Sequence, residues 1–471
     1  ARSSGLCSSD LTAAARPAPT GQELDRWGLS PAQREAAAAA LQFLAGASLS
    51  PRRPARPWHA SRLRQAASSQ LPASPCGPPS TKQSAPYRRS ALHRSPAFPW
   101  RLNPWRPFRS ERSAPHRHFS SSGRPAQPDL PAPSHPAAGR PGRFLLWAVT
   151  GAGKTEMIFP LLAYVLQAGG RALVATPRRD VVLELAPRLA KVFPEERMSV
   201  LYGGSEDRWK TGNLVLATTH QLLRFRGAFD LVIIDELDAF PYHNDPMLAY
   251  AAEACCKDKG HFIFLSATPP RRLQQDASAG RCGVARVPAR FHGHPLPVPR
   301  RIQTPGTAES ISRQRLPGIL LSELQVSVRR GAQIFLFISR IQQIEPLLAL
   351  LRRRLPGIPI EGTSSQDNQR SSKVLAFRSC QIRILVTTTI LERGVTVPRS
   401  DVFILDADNG LFDEASLVQM AGRAGRSKED PAGKVIFFSS QSTSAQRGAI
   451  RQINQMNRIA YRKGYLGAAK P

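Results

Sequence analysis

The chain has 471 residues with 65 Lys+Arg against 34 Asp+Glu, a formal net charge of +31. That is long enough for two or three domains of about 100–200 residues each, and basic enough to point to a polyanionic partner. The six cysteines (Cys7, Cys76, Cys255, Cys256, Cys282 and Cys380) include no CxxC pair, which argues against a disulfide framework or a structural zinc site within this chain and suits a reducing compartment.

No apolar run nears the ~20 residues of a membrane span. Residues 1–20 are Ala/Ser/Pro-rich and lack the charged start and apolar core of a signal peptide; a start at Ala1 rather than Met suits a fragment. Leu29-Ser30-Pro31-Ala32-Gln33 sets a Ser cap before Pro at the first helical position, and the alanine-rich run to Leu44 predicts a helix closing an N-terminal segment, residues 1–45. A Gln at such a cap can read adenine through its two-faced amide; standing alone, Gln33 reads as an ordinary surface residue. Residues 46–143 contain 17 basic residues but only two acids, Glu111 and Asp129, so +15 of the net charge sits in a Pro/Arg/Ser-rich stretch without apolar period. Disorder is expected there. Trp100-Arg101 and Trp105-Arg106 would suit a nucleic-acid tether. The composition departs so far from its flanks that a non-native stretch, such as an insertion or a frame-shifted reading, is preferred, and no chemistry is assigned to it.

From Phe144 the pattern alternates strand and helix. Phe144 to Val149 reads as a buried strand, and Lys154-Thr155 open a helix through Gln167. Ala172 to Thr176, Leu214 to Thr218, Leu231 to Ile234 and Phe262 to Leu265 are further strands, so residues 144–294 form a parallel-sheet α/β domain. Vicinal Cys255-Cys256 are expected as small buried residues on a helix. Pro295 to Arg300 reads as a hinge. A second series follows, Gln333 to Ile338, Ile384 to Val386, Val402 to Leu405 and Val435 to Phe438, giving a second α/β domain over residues 295–445. The tail, residues 446–471, belongs to a basic helical stretch running from Ser442 to Tyr465.

Between the first strand and its helix lies Thr150-Gly151-Ala152-Gly153-Lys154-Thr155, a phosphate-binding loop with Ala148 in the first glycine position. Small residues let successive N–H groups curl around a triphosphate, and the helix N-terminus adds its positive dipole end. Lys154 would reach the β- and γ-phosphates; the Thr155 hydroxyl would ligate Mg²⁺. A chance small-residue turn is the bland alternative. Asp235-Glu236-Leu237-Asp238 follows a strand, where Asp235 would hold the metal and Glu236 would polarise the attacking water; alone, an acidic pair on a surface loop is common. Ser266-Ala267-Thr268 after Leu265 can link the metal site to a neighbouring domain. Thr387-Thr388-Thr389 and Gly394 follow the second domain's strand. In Gln419-Met420-Ala421-Gly422-Arg423-Ala424-Gly425-Arg426 the two arginines are expected on one face of a helix. Across a cleft they can stabilise charge on the γ-phosphate, a role worth ~10³–10⁵ in rate; the alternative is a solvated basic face.

WAVTGAGKTEM (147–157), ATPRRDVVLELAPRL (175–189), DELDAFPY (235–242), LSATPP (265–270), FISRI (337–341), TTTILERGVTVP (387–398) and QMAGRAGR (419–426) together resemble a superfamily 2 nucleic-acid helicase, in wording that of the ComFA-type late competence proteins. The resemblance spans most of residues 144–426. It implies two tandem RecA-like parallel-sheet domains behind a disordered N-terminal region, and a cytoplasmic ATP-driven motor on single-stranded DNA that helps draw transforming DNA into competent bacteria. Such a motor would be peripheral to the membrane and able to meet other DNA-import proteins at its inner face. ATP and Mg²⁺ are the implied cofactors.

Nucleotide roles carry over to the loop Thr150–Gly153, Lys154, Thr155, Asp235, Glu236, Gly394, Arg423 and Arg426, with Gln33 a weaker candidate. DNA-contact roles fall on Pro177, Arg178, Thr218, Thr219, His220 and Thr387 to Thr389. The family's N-terminal four-cysteine zinc module has only Cys7 and Cys76 here, so zinc is unsupported, and the insert breaks the usual short spacing from Gln33 to the loop. Rival readings are a PriA-type replication-restart helicase, disfavoured because its acidic box typically ends in His, a DNA-binding scaffold without motor activity, and an RNA-directed motor.

Overall fold

The computed structural model describes residues 21–46, 141–239, 245–391, 397–428 and 430–467. The insert from residue 47 to 140, Cys7, Cys76 and Gly394 therefore lie outside the described residues.

Two parallel sheets organise the chain. The first contains β1 (Gly142–Ala148), β2 (Ala172–Thr176), β3 (Met198–Leu201), β4 (Leu214–Thr218), β5 (Phe229–Asp235), β6 (Cys256–Ser266) and β7 (Gly283–Val287) in the order β3-β4-β2-β5-β6-β1-β7. The second contains β8 (Arg300–Gln303), β9 (Gln333–Phe337), β10 (Ile360–Thr363), β11 (Ile384–Thr387), β12 (Ser400–Ile404) and β13 (Val435–Ser439) in the order β10-β11-β9-β12-β13-β8. Each forms one lobe of a two-lobed α/β protein. The central strands are continuous apolar runs because helices cover both faces of the sheet: all five residues of β2, β4, β9, β12 and β13 are buried.

The strand order positions the chemistry. β1 neighbours β6, and β6 neighbours β5, all parallel, with Trp147 opposite Ser266 and Asp235 opposite Leu265. The loops leaving these three strands thus emerge side by side at the carboxyl edge of the sheet, where α/β proteins bind ligands. β2 and β4 pair from Ala172–Leu214 to Thr176–Thr218, so the turns after them also adjoin.

Three local details differ from the sequence reading. Cys255 ends the Pro246–Cys255 helix, but Cys256 opens β6; burial pushes both thiols well above the usual thiol range, Cys256 to about 12. The Pro295 to Arg300 hinge ends inside β8, where Arg300 pairs with Ile436. The tail helix runs Ser444–Arg462, its Thr443 hydroxyl accepting from the Gln446 N–H at 3.2 Å.

Candidate nucleotide site between the two lobes

The phosphate loop connects β1 to the Lys154–Gln167 helix. Gly153 caps that helix in the left-handed region, φ +72, so the first-turn N–H groups, which have no intrahelical partner, face the loop's concave side. A side chain on Gly153 would also collide with Gln33: a Cβ there would lie 2.4 Å from the Gln33 Nε2.

Gln33 occupies that space with both ends of its amide engaged. Nε2 donates to the carbonyls of Ala152 at 2.8 Å and Gly153 at 2.9 Å, and Oε1 accepts from the Ser30 N–H at 2.7 Å. The residue is fully buried. In this structure the amide expected to read adenine is engaged with the phosphate loop, which Gln33 braces from behind. The contact is made across the intervening insert, between residues 119 and 120 positions apart.

Lys154 Nζ lies 3.6 Å from Asp235 Oδ1. Burial raises the Asp235 pKa, and Lys154 is the main opposing influence. Glu236 has φ +56, a region uncommon for a non-glycine residue and one that clusters at functional sites. Its N–H donates to the Leu265 carbonyl at 3.1 Å, fixing the acidic pair to the neighbouring strand.

The second lobe supplies the opposite wall. The Glu414–Ala421 helix stops at Gly422, and Gly425 turns the chain at φ +59. Arg423 and Arg426 consequently lie on the turn beyond the helix, correcting the expectation of a shared helical face. Arg426 Nε donates to the Gly422 carbonyl at 2.9 Å, and Ser400 Oγ donates to the Arg423 carbonyl at 2.8 Å. Burial lowers the Arg426 pKa to about 10, opposed by the negative charges of Glu236 and Glu184. One cavity of about 420 Å³ is lined by Thr150, Gly151, Lys154, Thr155, Asp235 and Glu236 from the first lobe and by Gln419, Arg423 and Arg426 from the second.

A hydrogen-bond network ties these walls together. Ser266 Oγ and Thr268 Oγ1 donate to the two carboxylate oxygens of Asp238, each at 2.6 Å, and Gln419 Nε2 reaches Thr268 Oγ1 at 3.2 Å. The hydroxyl residues after β6 thus join the acidic box to the second lobe, with Asp238 and Gln419 as members that the sequence reading gave no individual role. Glu184, Arg188 and Arg378 also line the cavity; the first two lie in the 175–189 motif without an individual role there, and no motif marks Arg378.

The donor set fits Mg²⁺ and a triphosphate. The protein offers one hydroxyl (Thr155), one carboxylate (Asp235), an ammonium, two guanidinium groups and a helix N-terminus, while among the described residues no cluster of three or more His, Cys, Asp or Glu could hold a metal by itself. Mg²⁺ at such sites takes one or two protein ligands and completes its octahedron with phosphate oxygens and water.

The residues expected to face DNA divide. Pro177 is buried and Arg178 half-buried beside the β4 turn, and His220 is exposed. Thr219 and Thr387 are fully buried and Thr218 and Thr388 nearly so, so these side chains, expected as contacts, lie inside the protein; Thr389 is partly exposed.

Close packing joins the lobes at Gly422. A Cβ there would sit 1.9 Å from Thr150 Oγ1, although its φ of −64° would accept any residue. Gly422→Ala is therefore expected to destabilise by about 1–3 kcal/mol, the usual cost of overpacking, seen as a lower urea midpoint together with reduced turnover.

Two family models match: the DEAD/DEAH box helicase over residues 135–276 and the helicase conserved C-terminal domain over residues 316–428. Competence protein ComFA of Bacillus subtilis is 42% identical over 318 residues, covering 67% of this chain and 68% of that protein. Competence protein ComFA of Streptococcus pneumoniae is 42% identical over 316 residues, covering 67% and 73%. ATP-dependent DNA helicase RecG of Acidithiobacillus ferridurans is 27% identical over 335 residues, covering 65% and 46%. With two helicase-type lobes that these family models match, and ComFA proteins matching at that identity over two thirds of its length, the chain belongs to the ComFA family of superfamily 2 helicase proteins.

Proposed function

We propose that the chain is an ATP hydrolase that converts turnover into movement along single-stranded DNA, serving DNA uptake in natural competence. The observation that carries this reading is the single cavity to which Lys154, Asp235 and Glu236 come from one lobe and Arg423 and Arg426 from the other. Lys154 and the loop N–H groups would hold the β- and γ-phosphates, and Thr155 and Asp235 the Mg²⁺, which neutralises charge on the phosphate oxygens. Glu236 would orient the attacking water and take its proton. Arg423 and Arg426 would meet the negative charge that develops on the terminal phosphate. Closing the lobes on the triphosphate and releasing them after hydrolysis would shift the grip on the strand.

Arg178, His220 and Thr389, with backbone N–H groups at the ends of β2, β4 and β11 where Pro177 shapes the turn, would hold DNA phosphates without reading bases, so binding should be sequence-indifferent and weaken as salt rises. The competence role is carried over from the relatives' names, and with it a place at the cytoplasmic side of the membrane beside other import proteins. Among the described residues no helix is long and apolar enough to cross a membrane.

ATP turnover by the purified chain, measured alone and with single-stranded DNA, forked DNA or RNA, tests this. Single strands are expected to stimulate turnover several-fold. Equal rates with and without DNA reject the motor; a best response to forks favours the replication-restart reading, a best response to RNA an RNA motor, and DNA binding without turnover a scaffold.

A further inference from the structure

Arg290 lies between β7 and Pro295, in a connection whose sequence, PARFHGHPLP, resembles a surface loop. It is nevertheless among the largest fully buried side chains of the protein, 1% exposed. Its guanidinium enters the second lobe: Nη1 donates to the Ala424 carbonyl at 2.7 Å and to the Gly425 carbonyl, and Nη2 donates to the Gly422 carbonyl at 3.4 Å. Its stem runs beside Gly151, where an added Cβ would lie 3.7 Å from the Arg290 Cγ, Cδ and Nε, and the next N–H, that of Phe291, donates to the Gly151 carbonyl at 3.3 Å.

Among the described residues Arg290 has no carboxylate within ion-pair distance, and its Nε is buried without a hydrogen-bond partner. Burying an uncompensated cation is costly, so stability alone is a poor account of it. Two features offset part of that cost: the carbonyls beyond a helix C-terminus favour a cation, and a planar fork can reach several of them at once. Burial lowers its pKa to about 9, and the neighbouring charge of Arg426 adds to the effect. A cation behind the turn also repels Arg426 toward the side where an anion would sit.

We infer that Arg290 is a positioning residue: gripping the Gly422–Gly425 carbonyls while seated beside Gly151, it pins the turn that bears Arg423 and Arg426 against the phosphate loop. The two walls of the cleft are thereby held in register for a terminal phosphate. This rests on the nucleotide reading of the cleft.

The test uses the full chain with Arg290→Met and Arg290→Lys. Met fills the volume without the desolvated charge, a change that is often neutral or stabilising; Lys keeps the charge but loses the fork and covers the case in which the Met variant does not fold. Both are expected to lower kcat for ATP by about 10²-fold, the scale of a misplacement of about 1 Å, with KM changed far less because Lys154 and the phosphate loop still hold the substrate.

In an Arg423→Gln/Arg426→Gln background, adding Arg290→Met should cost no further turnover, since the residue acts through those two. Unchanged kcat in both single variants overturns the inference, as does a loss that multiplies with that of the arginine pair. Absence of turnover in the unmodified chain overturns the nucleotide reading as well, which separates the two failures.

Discussion

Lys154→Ala is expected to reduce ATP turnover by about 10²–10³-fold or more, the loss that follows removal of one preorganised donor to a developing charge. Nζ is the cationic group that the phosphate loop itself presents, and it lies within ion-pair reach of Asp235. Its removal withdraws a phosphate contact and leaves a buried carboxylate facing the anion's position. Asp235 has an escape: burial already raises its pKa, so it can take up a proton, and its Oδ1 still accepts from the Glu236 N–H at 2.9 Å. The unfolding midpoint should therefore move little while steady-state turnover collapses. A variant retaining more than about a tenth of wild-type kcat would remove Lys154 from the transition state, since a factor of ten is only about 1.4 kcal/mol.

Arg426→Gln should cost still more, within the ~10³–10⁵ range of an arginine that meets transferring phosphoryl charge. Gln preserves hydrogen bonding but removes the charge, so ground-state binding is affected less than kcat. The position is prepared in two ways: Nε is anchored on the Gly422 carbonyl, and the guanidinium lies in the field of Glu236 and Glu184. With its pKa lowered to about 10, Arg426 stays charged at neutral pH.

The parts of the fold legible in the sequence are those whose burial leaves an unbroken apolar run. Ala172–Thr176 and Leu214–Thr218 coincide with their strands to the residue because both faces of the sheet are covered there. The strands not foreseen, β3, β7, β8 and β10, are the short edge strands of the two sheets: β8 is Arg-Arg-Ile-Gln, and β7 alternates exposed and half-buried positions before Val287. No long apolar run marks them, since tertiary pairing rather than composition makes them strands.

The site divides in the same way. The phosphate loop and acidic box announce themselves by local spacing, whereas the two glycines of QMAGRAGR only weaken the helix that the spacing of Arg423 and Arg426 suggests. The other contributions are non-local. Gln33 meets Ala152 across 119 residues and Arg290 meets Ala424 across 134; an alanine-rich helix and a Pro/His-rich connection give no hint of either partner. The positive φ of Glu236 is likewise set by its hydrogen bond to Leu265 on the adjacent strand.

A terminal phosphate gripped from both lobes implies that the chain distinguishes triphosphate from diphosphate through the second lobe. Calorimetric titration with a non-hydrolysable ATP analogue and with ADP, both with Mg²⁺ and single-stranded DNA, measures that directly. The wild type should bind the triphosphate more tightly, and Arg423→Gln/Arg426→Gln should lose that preference while keeping its ADP affinity. A preference that survives intact in the double variant would contradict a cleft closed on the γ-phosphate by these two arginines.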